Sequence, residues 1–87
     1  MPLYGRKILI TGGTRGLGRA MALEFAVRRA QVCLTGRSLS DARTVAAEVE
    51  AEVREHHPDA GEPRVVGVEC EVTDLDSVRH AVAQCQE

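Results

Sequence analysis

A glycine-rich turn near the N-terminus constrains the fold of this chain more than any other feature. Residues 11–18 read TGGTRGLG; they follow the apolar run 8–10 and lead into an apolar-rich segment, residues 17–29. This order predicts a buried strand, a tight turn and a helix. The first N–H groups of a helix lack internal partners and lie at the positive end of its dipole, so such a turn is typical of sites for phosphorylated ligands. Glycines also let a pyrophosphate approach the backbone without meeting a Cβ atom.

The glycine spacing is more specific than a general dinucleotide fingerprint. Thr11 opens a turn in which Gly12, Gly16 and Gly18 are separated first by three residues and then by one. This T-G-x-x-x-G-x-G pattern resembles the first turn of the short-chain dehydrogenase/reductase family, whose members are nicotinamide-dependent oxidoreductases. The alternative is a glycine-rich turn without a ligand, which the flanking strand and helix disfavour. The resemblance implies that the dinucleotide cofactor is contacted by Gly12, Thr14, Arg15, Gly16, Leu17 and Gly18.

Strands and helices alternate along the whole chain. Strands are predicted at residues 7–11, 31–35 and 64–70, and helices at 17–29, 38–56 and from about residue 73 onward. Such alternation predicts a parallel sheet with right-handed helical crossovers. We therefore expect an α/β fold, namely the first half (β-α-β-α-β-α) of a Rossmann doubly wound parallel sheet. Residues 1–87 would form one partial NAD(P)-binding domain.

The helices show distinct apolar faces and capping signals. Ser38 with Asp41, and Thr73 with Asp76, have the spacing of capping boxes. The first helix has a wide apolar stripe and is expected to be well buried. The buried face of the second helix is predicted to comprise Ala42, Val45, Ala46, Val49 and Val53. That of the third helix is predicted to comprise Leu75, Val78, Val82 and Cys85.

The end of the second strand is where a Rossmann domain selects its nucleotide. A carboxylate there bonds the ribose of NAD(H) and repels the 2′-phosphate of NADP(H), but here the position is Gly36, followed by Arg37. Together with Arg15 in the glycine turn, Arg37 would offer two guanidinium groups to a phosphate. The pattern resembles NADP(H)-preferring members of the family, so NADP(H) is favoured over NAD(H).

The segment after the third strand resembles a second family element. Residues 71–74 read EVTD, where the family has D-V-T-D, and the resemblance implies that Glu71 and Val72 border the adenine. Glu71 replaces the usual aspartate, so its contact with the adenine amino group is open. Asp74 is expected to serve the start of the third helix.

The chemistry of the family depends on residues that this chain does not contain. The resemblance requires an Asn-Asn-Ala-Gly segment, a serine and a Tyr-x-x-x-Lys pair. The only tyrosine of this chain is Tyr4, and its only lysine is Lys7. No catalytic residue is therefore assigned. Two functions stay open: the NADP(H)-binding segment of an oxidoreductase for carbonyl or alcohol substrates, whose catalytic part lies elsewhere, or a non-catalytic nucleotide-binding or partner-binding module. In the first case the substrate would bind only when the missing part is present.

Composition narrows the remaining possibilities. The formal net charge of −2 argues against a nucleic-acid or membrane surface, and the absence of an export signal predicts a cytoplasmic location. The three cysteines match no disulfide or metal framework and are expected to be buried thiols. The pair His56 and His57 is expected to end a helix and not to bind a metal.

In the family's sheet order the first strand is internal, but without a fourth strand it would form an exposed edge, open to self-association.

Overall fold

The structure, a computed structural model, describes residues 3–86. Its element order confirms the predicted alternation of strands and helices, and a short 3₁₀ helix, Pro58–Ala60, lies in the predicted loop. The strands are β1 (Lys7–Ile10), β2 (Gln31–Gly36) and β3 (Arg64–Glu69), and the helices are α1 (Gly16–Val27), α2 (Leu39–His56) and α3 (Leu75–Cys85). No helix within the described range is both long and apolar enough to cross a membrane.

The three strands form one parallel sheet in the order β1-β2-β3. Lys7 pairs with Gln31, and Gln31 pairs with Arg64, so the three strands begin at the same level. Each parallel neighbour must be reached by a crossover, which α1 and α2 provide. The sheet confirms the predicted first half of a Rossmann fold, with β1 at an edge of the described sheet.

The main core lies between one face of the sheet and the helices α1 and α2. The predicted face of α2 is confirmed, because four of its residues are buried and Val45 packs against them. Gly67 of β3 allows α2 to lie close, since a Cβ atom there would collide with the backbone of Ala42. The buried residues of this cluster are Ile10, Ala22, Ala26, Ala30, Val32, Leu34, Ala42, Ala46, Val49, Val53 and Val65.

Helix α1 is less buried than its apolar stripe predicts. Only Ala22 and Ala26 are fully buried, whereas Leu17 is 77% exposed and Met21 is 38% exposed. The sequence expectation holds only in part, because Leu23, Phe25 and Val27 are partly buried and pack against the main core, whereas Leu17 and Met21 near the start of α1 are exposed.

Helix α3 lies on the opposite face of the sheet and also departs from its predicted face. Ala81 is its fully buried residue, and Val78 and Cys85 pack beside it. Leu75 and Val82 are 61% and 36% exposed, contrary to expectation. The reason is that α3 packs chiefly on β3, so only part of its apolar side is covered.

The helix caps are confirmed in one case and shifted in the other. Ser38 Oγ accepts a hydrogen bond of 3.2 Å from the backbone N–H of Asp41, as the first capping box predicts. At α3 the N-cap is Asp74, whose Oδ1 accepts from Asp76 and Ser77. The predicted Thr73 cap is therefore wrong, and the expectation that Asp74 serves the start of this helix is confirmed.

The prediction that all three cysteines are thiols is wrong. Cys33 of β2 and Cys85 of α3 form a disulfide, with their Cα atoms 5.8 Å apart. Cys70 is free and buried, as expected. Cys33 and Cys85 are 52 residues apart in sequence, and only the crossing of α3 over the sheet brings them together.

Candidate functional site

A crevice of about 920 Å³ opens at the carboxyl ends of the three strands. Two backbone hydrogen bonds of 2.9 Å hold its floor together: Gly13 N–H donates to Thr35 C=O, and Cys70 N–H donates to Gly36 C=O. The glycine turn, the end of β2 and the end of β3 are thereby tied to one another. In open α/β sheets this end of the strands is where ligands bind.

The glycine turn tolerates little besides glycine. Gly12 and Gly16 adopt positive φ angles of 67° and 59°, which residues that carry a Cβ atom rarely adopt. A Cβ atom on Gly18 would collide with the carbonyl of Gly12, and one on Gly13 would lie 2.6 Å from Leu34 Cβ. The requirement for glycine at position 13 was not expected from the sequence, although the paired glycines of the turn were a visible signal.

The N-terminus of α1 differs from those of α2 and α3. Its N-cap, Arg15, has an extended backbone, and its side chain makes no capping hydrogen bond within the described structure. Ser38 and Asp74 fill that role at the other two helices. The first turn of α1 also holds no acidic side chain. Its leading N–H groups are therefore directed into the turn without a side-chain acceptor, which is the arrangement that binds anions.

An ion pair links the ends of β2 and β3 across the crevice. Arg37 Nε lies 3.8 Å from Glu71 Oε2, and the Arg37 side chain is 88% exposed. The other oxygen of Glu71 accepts a 2.9 Å hydrogen bond from Thr73 Oγ1. The backbone N–H of Glu71 donates to Ser77 Oγ of α3, also at 2.9 Å. Glu71 is thus held in place by its own loop and by α3, while Arg37 extends into solvent.

Charges of both signs line the crevice. Arg15 and Arg37 supply positive charge, and Asp41, Glu48 and Glu71 supply negative charge. The carboxylate of Glu48 lies 3.5 Å from the guanidinium of Arg19 in α1, so Glu48 pairs with a residue that is not one of the predicted ligands. The negative charge of Glu71 is paired with Arg37. Arg15 supplies the positive charge within the glycine turn.

The structure brings most of the predicted ligand residues around this one crevice. Its wall includes Gly12, Thr14, Arg15, Gly36, Arg37, Glu71 and Val72. Gly16, Leu17 and Gly18 do not line the wall; they form the first turn of α1 just behind it. Ser38 and Thr73 also line the crevice, although from the sequence they were expected only as helix caps and not as ligand-site residues. Their signal was present, since each follows directly on a predicted ligand segment.

The paired histidines lie far from this crevice, at the end of α2. They line a separate surface hollow together with the end of α1. Among residues 3–86, no group of three or more His, Cys, Asp or Glu side chains is placed to hold a metal ion.

Comparisons with known proteins agree with the observed fold. The family model for short chain dehydrogenases matches residues 6–87. The chain is 42% identical to the cis-1,2-dihydrobenzene-1,2-diol dehydrogenase of Pseudomonas putida over 87 residues, which are 100% of this chain and 27% of that enzyme. The chain therefore spans about a quarter of the length of this curated relative.

Two solved structures have the same fold. A short-chain type dehydrogenase/reductase from Mycobacterium marinum has a TM-score of 0.76 at 31% identity, over 95% of this chain and 29% of that one. RhlG of Pseudomonas aeruginosa, solved as an active-site complex with NADP, has a TM-score of 0.76 at 22% identity, over 98% of this chain and 30% of that one. The second likeness bears on the fold alone.

Proposed function

The chain belongs to the short-chain dehydrogenase/reductase family, and on that premise we propose that it is the NADP(H)-binding segment of an oxidoreductase for carbonyl or alcohol substrates. One observation carries the choice of nucleotide. Gly36 stands at the end of β2 without a carboxylate, and Arg37 follows it at the rim of the crevice. A guanidinium at this place favours the 2′-phosphate that distinguishes NADP(H) from NAD(H).

The pyrophosphate fits the N-terminus of α1. The uncapped N–H groups there and the close approach of Gly18 to Gly12 leave backbone donors open where a larger residue would intrude. Gly12, Thr14, Gly16, Leu17 and Gly18 would form this cradle. The partial positive charge of the helix N-terminus adds to the attraction.

The adenosine half fits the crevice between the ends of β2 and β3. Gly36 would let the ribose lie against the strand end, and Arg15 and Arg37 would hold the 2′-phosphate. Val72, which is 59% exposed, would offer an apolar contact to the adenine face, with Glu71 at the adenine edge.

The bound NADP(H) would supply a hydride donor or acceptor. This segment would bind and orient the adenosine half and the pyrophosphate, and it would take no proton in the reaction. Hydride transfer, the substrate site and the general acid would belong to the whole protein. The curated relative is about four times as long as this chain. Turnover by residues 1–87 alone is not expected.

Ligands that carry only the adenosine half test the proposal on this segment directly. Adenosine 2′,5′-bisphosphate should bind more tightly than adenosine 5′-monophosphate by about tenfold, the value of one charge-assisted hydrogen bond. Equilibrium dialysis of both ligands measures the ratio. Equal affinities for the two ligands would refute the choice of NADP(H). No detectable binding of either ligand would refute nucleotide binding.

The alternative function is a non-catalytic nucleotide-binding or partner-binding module. The coding sequence downstream of residue 87 distinguishes it from the oxidoreductase. An in-frame Asn-Asn-Ala-Gly segment and Tyr-x-x-x-Lys pair would support the oxidoreductase. The cytoplasmic location expected from the sequence remains a prediction, and microscopy of the tagged protein in its native cell would test it.

A further inference from the structure

The side of β3 that faces away from β2 carries backbone groups of its own. Along a strand of a parallel sheet, successive N–H groups point alternately to its two sides. Cys70 N–H, just after β3, donates to the carbonyl of Gly36 in β2. The N–H groups of even-numbered residues therefore point toward β2, and those of Val65, Gly67 and Glu69 point outward. Outward N–H groups without partners are a template on which a further strand can pair.

Glu50 of α2 occupies the first of these outward positions. Its Oε2 accepts a 2.9 Å hydrogen bond from the backbone N–H of Val65. A carboxylate oxygen thus lies where the carbonyl oxygen of a further strand would have to lie. Two residues earlier, Pro63 has no N–H group to donate. At the start of β3, residues 63 and 65 therefore offer no outward donor to another strand.

The carboxylate of Glu50 is also held from its other oxygen. Arg54, one turn further along α2, places its guanidinium 3.9 Å from Glu50 Oε1. The same guanidinium donates from Nε to Glu62 Oε1, at 2.9 Å, in the segment just before β3. The Glu50 side chain is 24% exposed, whereas the side chains of Arg54 and Glu62 are more than half exposed. Glu50 is thus the inner member of a row of three charges that joins α2 to the start of β3.

The bond to the backbone distinguishes Glu50 from an ordinary surface acid. An exposed ion pair such as Glu24 with Arg28 lies within one helix and contributes little. Glu50 accepts a charge-assisted hydrogen bond from a strand, which is a stronger kind of bond. A strand that paired at Val65 would have to displace the carboxylate and cover it. Covering a charge without a partner is costly, so the arrangement opposes pairing there.

We propose that Glu50 closes the β3 edge to strand addition, so that a second copy of this chain cannot extend the sheet on this side. The carboxylate takes the place of the incoming carbonyl at Val65, and Arg54 keeps it there. Charged side chains turned toward an edge are a means by which sheets avoid pairing with other chains. The contacts that carry the proposal lie wholly within residues 50–65, outside the nucleotide crevice except for its neighbouring strand end.

Hydrogen exchange resolved by residue tests the bond itself. The Val65 amide is measured relative to the Val66 amide, which points toward β2 and reports on general loosening of the strand. Glu50→Ala should speed the relative exchange of Val65 about tenfold, the low end for a hydrogen bond to a charged group. Glu50→Gln keeps an acceptor oxygen and should restore most of the protection. Glu52→Ala, which removes the same charge from the same helix, is the matched control. A relative rate that Glu50→Ala leaves unchanged, or that Glu52→Ala raises equally, would overturn the proposal.

The dependence of exchange on protein concentration tests the closure of the edge. A second copy that paired with β3 would protect the outward amides of Gly67 and Glu69. Pairing along β1 would not, because β1 lies at the other side of the sheet. In the parent chain and in Glu52→Ala the two amides should exchange at rates independent of concentration, whereas in Glu50→Ala they should slow as concentration rises.

Two results would contradict the closure. Slowing of the Gly67 and Glu69 amides in the parent chain would show that strands pair with β3 despite Glu50. Rates independent of concentration in Glu50→Ala would show that Glu50 is not what prevents pairing. Neither measurement uses a nucleotide, so failure here is distinguishable from failure of the proposed NADP(H) binding.

Discussion

Replacing Arg37 with alanine is the sharpest perturbation of the proposed nucleotide site. The substitution removes the one side chain that follows Gly36 at the rim of the crevice and also leaves Glu71 without its ionic partner. Both effects act against a 2′-phosphate, whereas the 2′-hydroxyl of NAD(H) carries no charge. We therefore expect NADP(H) to bind more weakly and NAD(H) to bind nearly as before.

The size of the effect follows from the exposure of Arg37. A hydrogen bond to a charged group contributes about 1.5–3 kcal/mol. Because the Arg37 side chain is 88% exposed, solvent screening places it at the low end, about 1.5 kcal/mol or roughly tenfold in affinity. Release of the Glu71 carboxylate adds a repulsion of up to about 1 kcal/mol in water. The combined loss is about tenfold to fiftyfold.

Fluorescence titrations with NADPH and NADH measure the two affinities, and two further variants separate the causes. Arg43→Ala is the matched control, since Arg43 is an exposed arginine of α2 that does not line the crevice. Glu71→Gln should strengthen NADPH binding by about twofold to fivefold, because it removes the nearby negative charge and frees Arg37. Equal weakening of NADPH and NADH in Arg37→Ala, or an equal effect of Arg43→Ala, would refute the reasoning.

Three other substitutions or measurements follow from the structure. Gly16→Val should abolish binding of both nucleotides in dialysis, because its φ of 59° is strained for a β-branched residue; retained binding would contradict the assignment of the turn. Gly36→Asp should shift preference toward NAD(H), but a Cβ atom there lies 2.8 Å from Thr14 Cγ2. Only the double variant with Thr14→Ser is therefore expected to show the full shift, and a preference unchanged in both variants would argue against nucleotide selection at this position. The open edge of β1 should make residues 1–87 self-associate, and a monomeric peak in size-exclusion chromatography at micromolar concentration would contradict this.

Much of the fold could be predicted because its signals are local. The apolar run before the glycine turn and the one-sided face of α2 each specify an element from neighbouring residues alone. Ser38 could be identified as a cap for the same reason, since its partner, Asp41, is three residues away. The burial of α1 and α3 could not be predicted in the same way. An apolar stripe shows that a helix can be buried, but the neighbouring elements decide how much of the stripe they cover, and Leu17 and Leu75 are left exposed.

The candidate site divides along the same line. Gly12, Gly16 and Gly18 could be singled out from their spacing, and the structure supplies the reason for each, either a positive φ or a close backbone contact. The neighbours of Arg37 and Glu71 could not be found from the sequence, since the two residues lie at the ends of different strands. Their contact depends on the pairing of β2 with β3.

The sequence by itself determined the order of the elements, the place of the glycine turn and the absence of a carboxylate at the end of β2. Periodicity, turn chemistry and residue type are properties of short segments, so they are present before the chain folds. The tertiary structure alone decided that Cys33 meets Cys85 and that Glu71 is held by Ser77 and paired with Arg37. The disulfide and the ion pair join different elements. They form only when the crossovers stack the strands in register and lay α3 across the opposite face of the sheet.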